Sequence, residues 1–195
     1  MVKKLKKIEL MELNEAYQKV LYWFFSFSSI ETGLNDLASN LKISKTTAKN
    51  IIDIFVKAGF LNKKVYGKTW RITCNLNHVY NITSKISFNL AMIYDAYYNG
   101  LRDIILNMVG NAKSIILFGS YRKGDDNEKS DIDIAVEVLD NKDVRIVEAG
   151  IISKFGFRNN VKVNLHIFSR NRVDLNLFSN IANGIVLEGF LEVKP

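Results

Sequence analysis

The sequence predicts an α+β chain in two parts: an N-terminal group of helices closed by a short hairpin, then a C-terminal mixed sheet flanked by helices. Three observations predict it. Residues 14–58 carry apolar side chains at helical spacing, and strand-type apolar runs recur at 114–118, 130–138 and 161–168. Formal charge divides the same way: residues 1–80 hold 13 Lys and Arg against 6 Asp and Glu, and the remainder holds 14 of each. The whole excess of +7 therefore sits in the N-terminal part, which suits it to meet a polyanion such as nucleic acid.

Composition narrows the class. With 48% hydrophobic and 24% charged residues, the chain has the make-up of a soluble globular protein. The single cysteine, Cys74, excludes an internal disulfide and points to a reducing compartment. With only His78 nearby as a metal-type partner, it reads as a buried, neutral thiol. The apolar stretch after the charged N-terminus is broken by Glu9 and Glu12 without a cleavage site, and the 11-residue run from Val20 to Ile30 is too short to span a bilayer. The expectation is a cytoplasmic protein with no membrane partner.

Each N-terminal element has its signal. A helix from Asn14 to Phe27 sets Tyr17, Leu21, Phe24 and Phe25 on one face, and a second follows from Leu34 to Leu41. After a three-residue turn, Ser44 is the predicted N-cap of a third helix reaching Ala58, with Ala48, Ile51, Ile52 and Phe55 inward and Lys45, Thr46, Lys49 and Asn50 outward. Gly59 ends it. The segment FLNKKVYGKTWRIT then reads as two strands around Tyr66-Gly67-Lys68, bearing Lys63, Lys64, Lys68 and Arg71. Over residues 10–75 this order resembles a winged helix-turn-helix domain. The resemblance implies binding to duplex DNA, with Lys45, Thr46, Lys49 and Asn50 in the major groove and Lys64, Lys68 and Arg71 near phosphates. Winged helices also serve as protein-docking modules.

A connecting segment, residues 81–110, separates residues 1–80 from residues 111–195. In it Ile86, Leu90, Ile93, Tyr94, Tyr97, Leu101, Ile104, Ile105 and Met108 keep a helical period, which Asn99-Gly100 kinks or divides. The simplest role for this helix is to pack on the C-terminal sheet, although it also offers a face to a homodimer.

The chemistry lies next. Ser114–Phe118 reads as a strand that runs into Gly119-Ser120, and Ser130–Val138 reads as a strand with Asp131 and Asp133 on one face and Ile132, Ile134 and Val136 on the other. Two carboxylates side by side repel each other unless they bind something, and oxygen ligands of this kind suit Mg²⁺ or Mn²⁺. The Gly-Ser turn can aim backbone amides and the Ser120 hydroxyl at phosphate, with Arg122 and Lys123 adding positive charge. Gly124 to Asn127 form a polar connection that returns the chain antiparallel.

The spacing G-S-x10-D-x-D resembles the signature of the polymerase-β-type nucleotidyltransferases, most closely their minimal members and the antitoxin nucleotidyltransferases. The resemblance extends over residues 110–192. It implies a mixed-sheet nucleotidyltransferase domain that uses an NTP as substrate, holds metal at Asp131 and Asp133, and binds phosphates at Gly119 and Ser120. It also implies a third carboxylate from a later strand. The strand Val161–Phe168 offers Asn164 and His166 instead: Asn164 can ligate through its carbonyl oxygen but brings no charge, and His166 could act as a base or phosphate contact. Residues 143–155 are expected to be helical, Val173–Ala182 to be a closing helix, and Asn183–Phe190 a final turn and strand.

No large acceptor domain follows, so the winged helix, a second chain or a dimer mate would complete the pocket. The resemblance implies an acceptor hydroxyl on protein, RNA or a small molecule. The resemblance to antitoxins includes a toxin protein in that range. The competing reading is a DNA-binding transcriptional regulator whose nucleotidyltransferase domain senses nucleotide or is inert.

Overall fold

The computed structural model describes residues 15–193. Asn14, the expected start of the first helix, and the run containing Glu9 and Glu12 lie outside the described residues. The first three helices are α1 (Glu15–Ser26), α2 (Leu34–Leu41) and α3 (Lys45–Lys57). Ser44 caps α3 by accepting the Thr47 amide at 3.0 Å, which satisfies one of the otherwise open first-turn donors. Tyr17 of α1 stacks on Phe55 of α3 at 4.5 Å between ring centroids, and Val20, Leu21, Phe24, Ile51 and Ile52 fill the same core. Strands β1 (Leu61–Tyr66) and β2 (Thr69–Cys74) pair antiparallel across Gly67, whose φ of +59° suits a residue without Cβ. Burial pushes the Cys74 thiol up to about 11, so it is neutral at ordinary pH.

Helices α4 (Ser84–Ala96) and α5 (Arg102–Val109) continue the chain, separated at Tyr97–Leu101 where Asn99 and Gly100 leave helical geometry. The kink therefore falls where the sequence puts it. The buried face differs from expectation. Tyr94, Ile104 and Met108 are exposed, whereas Lys85, Phe88, Asn89, Ile93, Tyr97, Leu101 and Ile105 are buried. The face of α4 is rotated because it covers a buried carboxylate, Asp126, which only polar groups can satisfy.

The C-terminal elements are β3 (Ser114–Phe118), α6 (Gly119–Lys123), β4 (Ile132–Glu137), β5 (Arg145–Phe155), β6 (Arg158–Phe168), α7 (Leu175–Ala182) and β7 (Ile185–Gly189). The five-stranded sheet has the order β5-β6-β4-β3-β7. Strand β3 runs antiparallel to both neighbours, and β4 runs parallel to β6. Residues 143–155, expected to be helical, instead form most of β5, a hairpin partner of β6. Val147, Ile151 and Ile152 favour a strand, and β6 supplies a matching partner of equal length. The alternation is hidden in the sequence because the register shifts between Glu148 and Gly150, a bulge at which Gly150 has φ +148°.

The core of α1–α3 runs on without a break into that of the sheet. Tyr22 of α1 packs on Phe88 of α4 at 4.6 Å, Trp23 on Phe157 at 5.6 Å, and the Ser26 hydroxyl accepts the Phe157 amide at 3.2 Å. Among the described residues, no helix is long and apolar enough to cross a membrane.

This contact predicts a sensitive turn. Gly156 has φ +60°, and a Cβ there would stand 2.5 Å from the Phe88 ring and 2.9 Å from Ser26 Oγ. Gly156→Ala should cost about 2 kcal/mol or more from left-handed strain and overpacking, measured as a lower urea midpoint at unchanged m-value.

Candidate functional site

Strand pairing assembles the site. In the register of β3 with β4, Phe118 stands opposite Asp133, so Gly119 follows directly beside that carboxylate. Gly119 has φ +73°, and a Cβ on it would lie 2.9 Å from Asp133 Oδ2. Only glycine leaves that space open. The parallel register of β4 with β6 sets Asp133 beside Asn164. The other face of β4, carrying Ile132, Ile134 and Val136, is fully buried, which fixes the direction in which the aspartates project.

Strand β6 engages one oxygen of each carboxylate. The Asn164 amide donates to Asp131 Oδ2 at 3.3 Å, and His166 Nε2 meets Asp133 Oδ1 at 3.0 Å. Because an ionised carboxylate only accepts, the imidazole proton of that bond sits on Nε2. The His166 ring stands edge-on to Phe118 at 4.9 Å, and its Nδ1 is buried without a partner. Asp131 and Asp133 are thus braced from one side, and each keeps a second oxygen clear of hydrogen bonds among the described residues.

This donor set can be tested against a metal. Among the described residues, no three His, Cys, Asp or Glu side chains form a group that could hold an ion by themselves. Mg²⁺, however, is ordinarily held by one or two carboxylates together with water and substrate phosphates. The open oxygens of Asp131 and Asp133, with the space left by Gly119, fit a divalent ion that arrives with a triphosphate.

Ser120, Arg122 and Lys123 lie on α6, which leaves β3 at this edge; Tyr121 between them points inward and is buried. Neither Arg122 nor Lys123 joins an ion pair among the described residues. Away from this site, Lys45, Thr46, Lys49 and Asn50 are exposed along α3, and Lys64, Lys68 and Arg71 are exposed on the β1–β2 hairpin. Arg71 lies 3.4 Å from Glu31 and 5.3 Å from the Tyr66 ring centroid. Lys63 is tied down by Asp53 at 2.5 Å and by the Trp70 ring at 4.1 Å, which takes it out of the free basic surface.

Sequence reasoning missed the polar cluster behind the carboxylates. Asp126 is buried with Lys85 at 3.4 Å, Arg158 at 3.8 Å and the Asn89 amide at 2.8 Å. Burial pushes the Asp126 carboxyl up and the Lys85 ammonium down despite their attraction. The available signal was Lys85 and Asn89 one helical turn apart. In the linker itself, Asp125, Asp126, Asn127 and Glu128 look alike.

Comparison with known proteins agrees with this geometry. Residues 99–186 match the family model of the nucleotidyltransferase domain, a stretch that contains Gly119, the aspartate pair and Asn164. No curated protein matches the chain.

The tight approach of Gly119 to Asp133 gives a double-mutant test. Gly119→Ala should destabilise the protein by about 1–3 kcal/mol, and part of that cost should disappear when Asp133→Ala removes the opposing oxygen. A coupling on the order of 1 kcal/mol in urea unfolding would establish the contact; strict additivity would refute it.

Proposed function

We propose that this chain transfers a nucleoside monophosphate from an NTP to a hydroxyl acceptor on a protein, RNA or small molecule, and that its N-terminal part is a winged helix-turn-helix unit that binds duplex DNA. The observation that carries the first half is the pair Asp131 and Asp133 beside Gly119, inside the stretch that matches the nucleotidyltransferase domain. The proposed division is a basic unit over residues 1–80, a connecting segment over 81–110 and a nucleotidyltransferase unit over 111–195.

Asp131 and Asp133 are the proposed ligands of Mg²⁺ or Mn²⁺, which when bound supplies charge neutralisation to the triphosphate. Gly119 and Ser120 face its β and γ phosphates, with Arg122 and Lys123 adding positive charge. The acceptor oxygen forms a bond to the α-phosphorus as the bond to pyrophosphate breaks. Family members of the polymerase-β type, which this chain resembles, bring a third carboxylate; Asn164 here cannot take the acceptor's proton. That proton passes to solvent in this reading, and transfer is slow. His166 orients Asp133 through Nε2 rather than meeting substrate.

Asn164 also favours a second reading, a DNA-binding regulator that senses nucleotide without turnover, because its amide is already spent on Asp131. Labelled α-phosphate from each NTP, followed onto the protein and RNA fractions of a cell extract, separates the two. The enzyme reading expects transfer by wild type, its loss in Asp131→Asn, and a rise of tenfold or more in Asn164→Asp, since electrostatic contributors at such sites are commonly worth about a hundredfold. Silence in both wild type and Asn164→Asp, alongside metal-dependent NTP binding, selects the regulator.

The DNA-binding half rests on the exposed Lys45, Thr46, Lys49 and Asn50 of α3 and on Lys64, Lys68 and Arg71 of the hairpin. If the five cations among them, Lys45, Lys49, Lys64, Lys68 and Arg71, each displace one counterion, the slope of log affinity against log salt is about −4.5. Lys45→Ala with Lys49→Ala should make that slope shallower by about 2. Absence of duplex binding at low salt would point to a protein-docking role instead.

A further inference from the structure

Ser130, the residue just before the first aspartate, makes four hydrogen bonds, one of them from its own amide to the Asn127 carbonyl at 3.1 Å. Its carbonyl accepts Arg158 Nη2 at 2.7 Å and the Tyr121 hydroxyl at 3.3 Å, and its own hydroxyl accepts the Asn127 amide at 3.0 Å. Arg158 opens β6 and is buried; its guanidinium also lies 3.8 Å from Asp126 and 5.5 Å from the Tyr121 ring centroid. We propose that Arg158 is a positioning residue for Asp131: by gripping the Ser130 carbonyl from inside the core, it fixes the peptide from which the Asp131 carboxylate projects and adds positive charge behind it.

Charge balance separates this role from plain structural pairing. Asp126 is already met by Lys85, which reaches both its carboxylate and its backbone carbonyl, and by the Asn89 amide. One cation compensates one buried carboxylate. A second buried cation is costly unless it serves another group, and Arg158 makes its shortest contact with the Ser130 carbonyl rather than with Asp126. The planar guanidinium suits this double reach, with one nitrogen toward each partner; an ammonium cannot reproduce it. The N-terminal part closes the same linker from outside, since the Ser28 hydroxyl donates to the Asp126 carbonyl at 3.1 Å and the Ser29 hydroxyl bonds Glu128 at 2.6 Å.

This inference rests on the reading of Asp131 as a metal ligand, and the experiment separates the two. Binding of Mn²⁺ with a non-hydrolysable ATP analogue is measured by calorimetry on the full chain at 10 °C for wild type, Asp131→Asn, Arg158→Lys and Tyr121→Phe, with amide hydrogen exchange at Asp131 and Ile132 as the second readout. Arg158→Lys should weaken binding about tenfold and speed exchange at these two amides while the β1–β2 hairpin stays protected. Tyr121→Phe, which removes the weaker donor without changing charge, should shift both in the same direction by about twofold to threefold. A merely structural Arg158 would lower the melting temperature and leave the affinity of the folded protein unchanged, and that result overturns the proposal. If Arg158→Lys does not fold, unchanged affinity and unchanged local exchange in Tyr121→Phe overturn it equally. Wild-type binding that requires Asp131 but ignores Arg158 defeats the positioning role alone, whereas no binding by wild type defeats the metal reading and this inference together.

Discussion

Like-charge repulsion between Asp131 and Asp133 is the constraint around which the C-terminal part is arranged. They share one face of a chain segment whose opposite face, Ile132, Ile134 and Val136, is locked into the core, so neither can turn away. In a plain strand such a pair would be destabilising. Here the parallel neighbour β6 answers with two donors, Asn164 to Asp131 and His166 to Asp133, while Gly119 leaves room at the remaining oxygen of Asp133. The sheet order makes both possible, because β4 lies between the strand that delivers Gly119 and the strand that delivers the donors.

A second electrostatic problem lies behind the first. The linker from α6 to β4 must be rigid if the aspartates are to keep their places, and it is anchored by sinking Asp126 into the core. Both Asp126 and Lys85 are pushed toward their neutral forms by burial, so the pair is no large source of stability; removing one partner would still cost about 3–5 kcal/mol by stranding the other. The cluster is better understood as specifying one conformation of the linker than as holding the molecule together, a task that falls to Phe24, Phe25, Phe55, Phe60, Phe88 and Phe155.

Much of this was legible in the sequence because the signals were local. The Ser44 cap, the Tyr66-Gly67-Lys68 turn, the Asn99-Gly100 break and the apolar strands at 114–118 and 161–168 each depend on residues near in sequence, and each element falls where its residues put it, except that the last strand starts earlier, at Arg158. The aspartate pair was legible because strand alternation alone puts Asp131 and Asp133 on one face, and its neighbour Asn164 because it lies in a plain strand. Two features were not. Strand β5 was masked by its bulge at Gly150, which breaks the alternation that marks a strand. The inward direction of Lys85 and Asn89 depends on where Asp126 packs, a contact between residues 41 and 37 positions apart.

The same network bears on how the basic N-terminal part relates to the site. Thr32 exchanges backbone hydrogen bonds with Ile72 of the hairpin at 2.9 and 3.0 Å, and Glu31 lies beside Arg71. Ser28 and Ser29, a few residues earlier, hold the linker that ends at Asp131. The chain therefore places one short loop, residues 28–32, against both the hairpin and the carboxylate linker. A flexible tether would have left the two parts free to move independently. Instead the Trp23–Phe157 contact, the Ser26 hydroxyl on the Phe157 amide and this loop fix α1 to the sheet by apolar packing and directed hydrogen bonds together. Displacing the hairpin relative to α1 must then strain either the Thr32–Ile72 bridge or the contacts of Ser28 and Ser29, so the geometry at Asp131 and the seating of the basic unit draw on a shared set of bonds.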